Sequence, residues 1–373
     1  MTLNGFFENA DIKVTVSRNN TDSCWDSFLA NVPEGQFEQS SMWARVKGLE
    51  GWKPLRILTW ENQLVIGGFQ ILWRSKKPFG QIGYISKGPV LLPQRQEFLP
   101  DIIKLTKEVA RACRIDFLII QPPRFYAEIA NIFMENGFML NHMKGLIQNA
   151  TVVIDVAKDD GTLLASMKRQ KRQNIRRAYD SGINVREGSL KDLSTFYSFM
   201  LETCKRNGVA PNPPQLRSLI LMWRIFHPLG EMKLFFACYR GEDLSGIIAI
   251  PFGDTVNLWK FGWSGKYAEY RPNDLLFWEI IKWSRVAGYR KVDLVNIDAG
   301  SAQEVIRYRN RPEAIKKSSS FFKLGLGGDI VILPEGYIFC RNLVTRALYV
   351  QGSNLINSWP WLNIIFKSYL GNP

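Results

Sequence analysis

Lys323 is the residue whose neighbours best equip it for chemistry. It closes the run Phe321-Phe322-Lys323 and is followed by Leu324-Gly325-Leu326-Gly327-Gly328-Asp329. Two aromatics thus deliver an ammonium group into a glycine-rich turn, where bare backbone can approach a ligand and offer N–H groups to an anion. The order is not that of a phosphate-binding P-loop, because the lysine precedes the glycines and no Gly-Lys-Ser/Thr ending follows. A tight turn between domains would be written with the same residues.

A second concentration of charge lies in Thr162 to Tyr179, which reads as one helix. At 100° per residue Leu164, Met167, Ile175 and Ala178 share a face. Lys168, Arg169, Arg172, Arg176 and Arg177 fall opposite, and Lys171 lands inside the apolar stripe. Six cations in the ten residues from Lys168, without one acid, repel at i,i+4 spacing and weaken the helix. Phosphates would neutralise them, as on a tRNA acceptor end; a solvated basic face is the other reading. The whole chain carries 48 Lys and Arg against 34 Asp and Glu, a net charge of +14. That balance favours an anionic partner, whether nucleic acid, nucleotide-linked substrate or lipid headgroup.

The elements that must position these residues come from a globular chain. Its 373 residues, 46% hydrophobic and 22% charged, favour two domains of ordinary size. It has no apolar run of membrane-spanning length, and Met1 to Ala10 lack the pattern of a secretion signal, which points to the cytoplasm. Cys24, Cys113, Cys204, Cys238 and Cys340 are scattered, which excludes a CxxC site and reads as reduced, buried thiols. With only His142 and His227 present, a histidine triad or metal centre has little to draw on; His227 reads as a helix end.

Two stretches share one plan. Leu55 to Trp60 turns through Glu61-Asn62-Gln63 into Leu64 to Leu72; Lys233 to Tyr239 turns through Arg240 to Asp243 into Leu244 to Ile250. Each hairpin is followed by an extended segment, a helix (about 97–114 and 273–287) and a buried strand (Asp116 to Ile120 and Val292 to Ile297). A hairpin followed by a strand–helix–strand crossover makes a mixed α/β sheet. Its repetition predicts duplicated lobes with a cleft between them. The boundary falls near 148–160, giving a first lobe over 1–150, completed by 326–373, and a second over 151–325 that carries the basic helix. The C-terminal stretch beyond Glu335 holds Arg341, Arg346 and Lys367, no acid, and Trp359 to Phe366. Such a composition suits the headgroup zone of an anionic bilayer, or a segment that packs back onto the first lobe.

In combination these features resemble the Fem family of tRNA-dependent aminoacyltransferases, most closely the shorter FemX type. The resemblance rests on Gly35 to Ser40, Trp43 to Lys47, Gly51-Trp52 and Tyr84 to Val90. In the second half it rests on the basic helix with Ser181 to Val185, on Lys205 to Gly208, and on Phe322-Lys323 with the glycines. It implies two acetyltransferase-like (GNAT) lobes, an aminoacyl-tRNA donor, no cofactor or metal, and an amine of a peptidoglycan precursor, lipid II or a UDP-linked muropeptide, as acceptor. It implies that Phe322 and Lys323 sit at the acyl-transfer centre and that Lys47 and Arg206 hold the acceptor's diphosphate. Trp259 and Phe261 would lie near the same ligand, with Trp43 a wall beside Lys47. Two departures stand out. Gln121-Pro122-Pro123 replaces an aspartate regarded as a possible general base, and residues 206–231 are too short for the coiled-coil arm of FemA-type members. An acyl-CoA-dependent N-acyltransferase, or a non-catalytic basic adaptor for RNA or membrane, are the competing readings.

Overall fold

The computed structural model describes residue 7 and residues 12–77, 80–124, 129–142, 149–308 and 319–358. Most of Met1 to Ala10 and the aromatic run Trp359 to Phe366 lie outside them. The chain begins with β1 (Ile12–Ser17), α1 (Ser23–Asn31), α2 (Ser41–Gly48), β2 (Lys53–Glu61), β3 (Leu64–Lys76), β4 (Gly80–Ser86) and β5 (Val90–Leu91). α3 (Leu99–Ala112), β6 (Phe117–Gln121), α4 (Ile129–Glu135) and β7 (Met139–Leu140) follow. β8 (Ala150–Asp155), α5 (Asp160–Ser166), α6 (Arg169–Asp180), β9 (Asn184–Glu187), α7 (Leu193–Asn207) and α8 (Leu216–Phe226) come next. Then come β10 (Lys233–Tyr239), β11 (Glu242–Phe252), β12 (Thr255–Trp263), α9 (Pro272–Val286), β13 (Lys291–Asp293), α10 (Ala299–Tyr308) and α11 (Ser319–Lys323). β14 (Asp329–Ile332), β15 (Tyr337–Cys340) and α12 (Leu343–Ser358) close the order.

Two compact units result, Met1–Ile147 with Leu333–Pro373, and Gln148–Ile332. The chain stays with the second unit seven residues longer than the sequence suggests, because β14 pairs antiparallel with β8. The duplication is visible in the strand orders. The first sheet runs β1-β2-β3-β4-β6-β15-β7, and the second, taken from its other edge, β9-β10-β11-β12-β13-β8-β14. The match extends to details. Each central hairpin turns through two left-handed residues, Asn62-Gln63 and Arg240-Gly241. Each carries a register shift two pairs from that turn, at Thr59/Trp60 and at Ala237/Cys238. β4 runs parallel to β6, and β12 to β13, while the other pairings are antiparallel. In each sheet the penultimate strand comes from elsewhere in the chain: β15 enters the first between β6 and β7, and β8 enters the second between β13 and β14.

Burial follows the alternation of the strands and the apolar stripe of the crossover helix. In the first unit Leu55, Ile57, Phe69 and Ile71 pack with Ile102, Ile103 and Val109 of α3. In the second, Ile247, Ala249 and Val256 pack with Leu275, Leu276 and Ile280 of α9. α7 ends where Asn207-Gly208 predicts, with Gly208 left-handed, and only α8 stands where a longer arm would be inserted. His227 caps α8 and stacks on Trp223. The cysteines depart from expectation: Cys238 is buried, but Cys24 is exposed.

Candidate functional site

The basic segment is two helices rather than one. α5 stops at Ser166, Met167 and Lys168 are extended, and α6 restarts at Arg169. Helical periodicity runs straight through this break and does not betray it. What fixes it is a distant partner: the Lys168 N–H donates to the Gly325 carbonyl at 3.0 Å, a bond a continuous helix would forbid. Beyond the break the predicted faces hold. Met167, Ile175 and Ala178 are buried, whereas Lys168, Arg169, Arg172, Arg176 and Arg177 are exposed.

Lys171 lies on the buried side, with a reason. Its ammonium donates to Asp274 Oδ1 of α9 at 2.7 Å and sits 3.2 Å from the Phe322 ring centroid. An unpaired ammonium there would be costly; the carboxylate and the ring's negative face make its burial tolerable. Phe322 also packs edge-on against Phe277, 5.1 Å away, and Phe277 against Phe261 at 5.8 Å. One aromatic row thus joins two of the residues singled out from the sequence, Phe261 and Phe322.

The glycine-rich turn after Lys323 is a packed turn. Three of its N–H groups are already engaged: those of Leu324, Gly325 and Leu326 donate to the carbonyls of Ser320, Phe322 and Lys323. The glycines serve close packing. A Cβ on Gly327 would lie 2.5 Å from Ser166 Oγ, and one on Gly328 2.6 Å from the Val153 carbonyl oxygen, both at φ of +84°. Leu324 and Leu326 meanwhile point into the core.

Lys323, at the end of α11, is half-buried. Its ammonium donates to the carbonyl of Val295 and, at 3.0 Å, to that of Asn296. Both acceptors have positive φ, 49° and 52°, an uncommon conformation for a β-branched valine. The Asp293 carboxylate helps to hold this bend by accepting from the Val295 N–H at 2.7 Å. Desolvation pulls the ammonium down to about 8, against the opposing pull of Asp293. Two carbonyls occupy two of its three protons, which fixes the direction of the third.

The remaining candidates divide between the units. Trp259 occupies a register shift, because Leu258 and Lys260 face consecutive residues of β11. Trp263 lies beneath Arg206, 5.1 Å from ring to guanidinium, and Arg206 also donates to its carbonyl. Phe261 and Trp263 therefore have separate neighbours, Phe277 and Arg206. In the first unit, Lys47 is buried at the end of α2, 5.0 Å from the Trp43 ring and 3.1 Å from Glu50. Burial pulls its ammonium downward, Glu50 opposes this, and Arg74 adds to it. Arg74 lies 4.2 Å over Trp52, donates to the Glu50 carbonyl at 3.1 Å, and Trp52 meets Tyr84 edge-on at 5.5 Å. Lys47 on the Glu50 carboxylate and Arg74 on its backbone carbonyl form a group of which sequence reasoning named Lys47 and Trp43 but not Arg74. Gln121 closes β6, and its carbonyl accepts the Gly88 N–H at 3.0 Å.

The sequence profile of the FemAB family matches residues 21–212, just over half of the chain. The chain belongs to the FemAB family. A profile of the acetyltransferase (GNAT) domain matches residues 165–304. The lipid II:glycine glycyltransferase of Staphylococcus epidermidis is 29% identical over 250 residues, 64% of this chain and 58% of that protein. That of Staphylococcus saprophyticus is 27% identical over 228 residues, 58% of this chain and 54% of that protein. The chain thus spans little more than half the length of these relatives. The crystal structure of FemX superposes with a TM-score of 0.76 at 19% identity, covering 91% of this chain and all of that one. A tandem GNAT protein from clavulanic acid biosynthesis gives 0.52 at 8% identity, covering 89% and 99%. Both likenesses confirm the duplicated GNAT-like fold, and for a FemAB member the absence of an inserted arm leaves the FemX-like outline.

Proposed function

We propose that this FemAB-family chain is an aminoacyltransferase that moves an amino acid from aminoacyl-tRNA to an amine of a peptidoglycan precursor, lipid-linked or UDP-linked. The observation that carries the reading is Lys323, an ammonium aimed by the carbonyls of Val295 and Asn296. The activity for which the staphylococcal relatives are named, glycyl transfer to lipid II, supports the choice of acceptor.

The chemistry is aminolysis. The acceptor nitrogen bonds to the ester carbonyl carbon, the carbon–ribose oxygen bond breaks, and one amine proton ends on the ribose hydroxyl. Charge gathers first on the tetrahedral oxygen and then on the leaving oxygen. A fixed ammonium stabilises both, and such a contact contributes about 3 kcal/mol in the transition state. Near 8, Lys323 can also pass its proton to the leaving oxygen at little cost. An ester is activated toward an amine, so Gln121 in place of a carboxylate is compatible with turnover; water or a substrate phosphate can take the attacking amine's proton and hand it back to Lys323.

In this scheme Lys168, Arg169, Arg172, Arg176 and Arg177 carry the tRNA, while Lys47, with Trp43 and Arg74, and Arg206 take the acceptor's anionic part. The test is incubation with a mixture of charged tRNAs and lipid-linked or UDP-linked muropeptide, with the product mass read out. A mass gain of one amino acid residue is expected. Transfer from acetyl-CoA and none from charged tRNA would move the chain to the acyl-CoA-dependent class.

A further inference from the structure

α12 is amphipathic in the wrong sense for a helix that only packs onto its own sheet. It starts from an Asn342 cap, whose side chain accepts the Thr345 N–H at 2.9 Å. The face turned inward is polar: Thr345, Tyr349 and Ser353 are buried. Tyr349 fastens it by accepting the His142 N–H at 2.8 Å and donating to Asn141 Oδ1 at 3.0 Å. In its first two turns the face turned outward is apolar, with Gln351 and Asn354 following on the same side. Leu343, Val344 and Leu348 are 81, 68 and 60% exposed, with Ala347 between them and Val350 at the edge. A soluble surface scatters such residues singly; a contiguous set on one helix face marks a contact.

We propose that this face of α12 docks onto the surface of an anionic bilayer, lying in the headgroup plane. Charge selects that occupant. Arg346 is exposed on the same helix, no Asp or Glu occurs between Gly336 and Pro373, and the chain carries +14 overall. Apolar side chains that enter the acyl boundary, beside cations that meet phosphate, are what a peripheral helix needs. A second copy of the chain fits less well, since a two-fold contact on this face would place Arg346 against Arg346 without an acid to separate them. The proposal goes beyond the transfer reaction, and its test uses no substrate.

Full-length protein is sedimented with vesicles of phosphatidylglycerol and phosphatidylcholine, and with vesicles of phosphatidylcholine alone. Wild type is expected to pellet with the anionic vesicles, less so at high salt, and to stay in solution with the neutral ones. The triple variant Leu343→Ser/Val344→Ser/Leu348→Ser should lose at least about tenfold in partitioning. Its thermal melt should stay close to wild type, because the three side chains are mostly exposed. Arg346→Glu should weaken binding to anionic vesicles without altering the melt. Equal pelleting of wild type and triple variant, or no pelleting of wild type, would overturn the proposal. So would a wild-type dimer in solution that the triple variant converts to monomer.

Discussion

Lys323 makes the sharpest demands on experiment. Replacing it with methionine should lower transfer by about 10²–10³-fold, the scale of losing one donor to a developing oxyanion, while tRNA affinity by filter binding stays near wild type. Because its ammonium sits near 8, the charged form is lost as pH rises through that value. Single-turnover rates at saturating substrates should therefore fall above about pH 8, and Lys323→Arg should shift that fall to higher pH in whatever activity it retains. The Lys171–Asp274 pair beneath Phe322 gives a separate test, since removing one partner of a buried pair strands the other charge. Lys171→Met alone should cost about 3–5 kcal/mol in denaturant unfolding, and Lys171→Met with Asp274→Leu should recover much of it. Phe322 and Lys323 were legible because two aromatics and a lysine before glycines are an unusual string. Their partners were not: a left-handed Val295 has no sequence signature, and Asp274 looks like any acid in a first helical turn.

At the scale of elements, periodicity recovered the hairpins, both crossover helices and the inward placement of Lys171 within a mostly exposed basic segment. It missed the break at Met167-Lys168, since that break is made by a carbonyl more than 150 positions away and not by any residue in the helix. The glycine-rich turn was located correctly, and of its two readings the packed turn has support: its glycines admit Ser166 and the Val153 carbonyl. Gly328→Ala should therefore act on stability, by about 1–3 kcal/mol through strained φ and a clash with backbone, and show as a lower melting temperature. On α6, Arg172→Glu with Arg176→Glu should weaken tRNA binding and flatten its salt dependence, because fewer counterions are released. An unchanged slope of log affinity against log salt would remove this helix from the RNA contact.

For the molecule as a whole, duplication was legible because the same hairpin–crossover grammar occurs twice, yet grammar cannot say which sheet a lone strand joins. β8 and β15 pair in the units to which the lobe boundaries assigned them, but β14, placed with the first lobe, pairs with β8 in the second. A fragment covering 148–332 holds every strand of its sheet and should fold alone, with a cooperative melt by circular dichroism. A fragment covering 1–147 lacks β15, leaves β6 and β7 with open edges, and should aggregate or stay molten. The same threading sets a timetable on the ribosome. The later-made half can close its sheet soon after β14 emerges, while the earlier-made half, already outside the exit tunnel, waits for a strand that has yet to be translated. A strand made after the second sheet is thus the latch for the first.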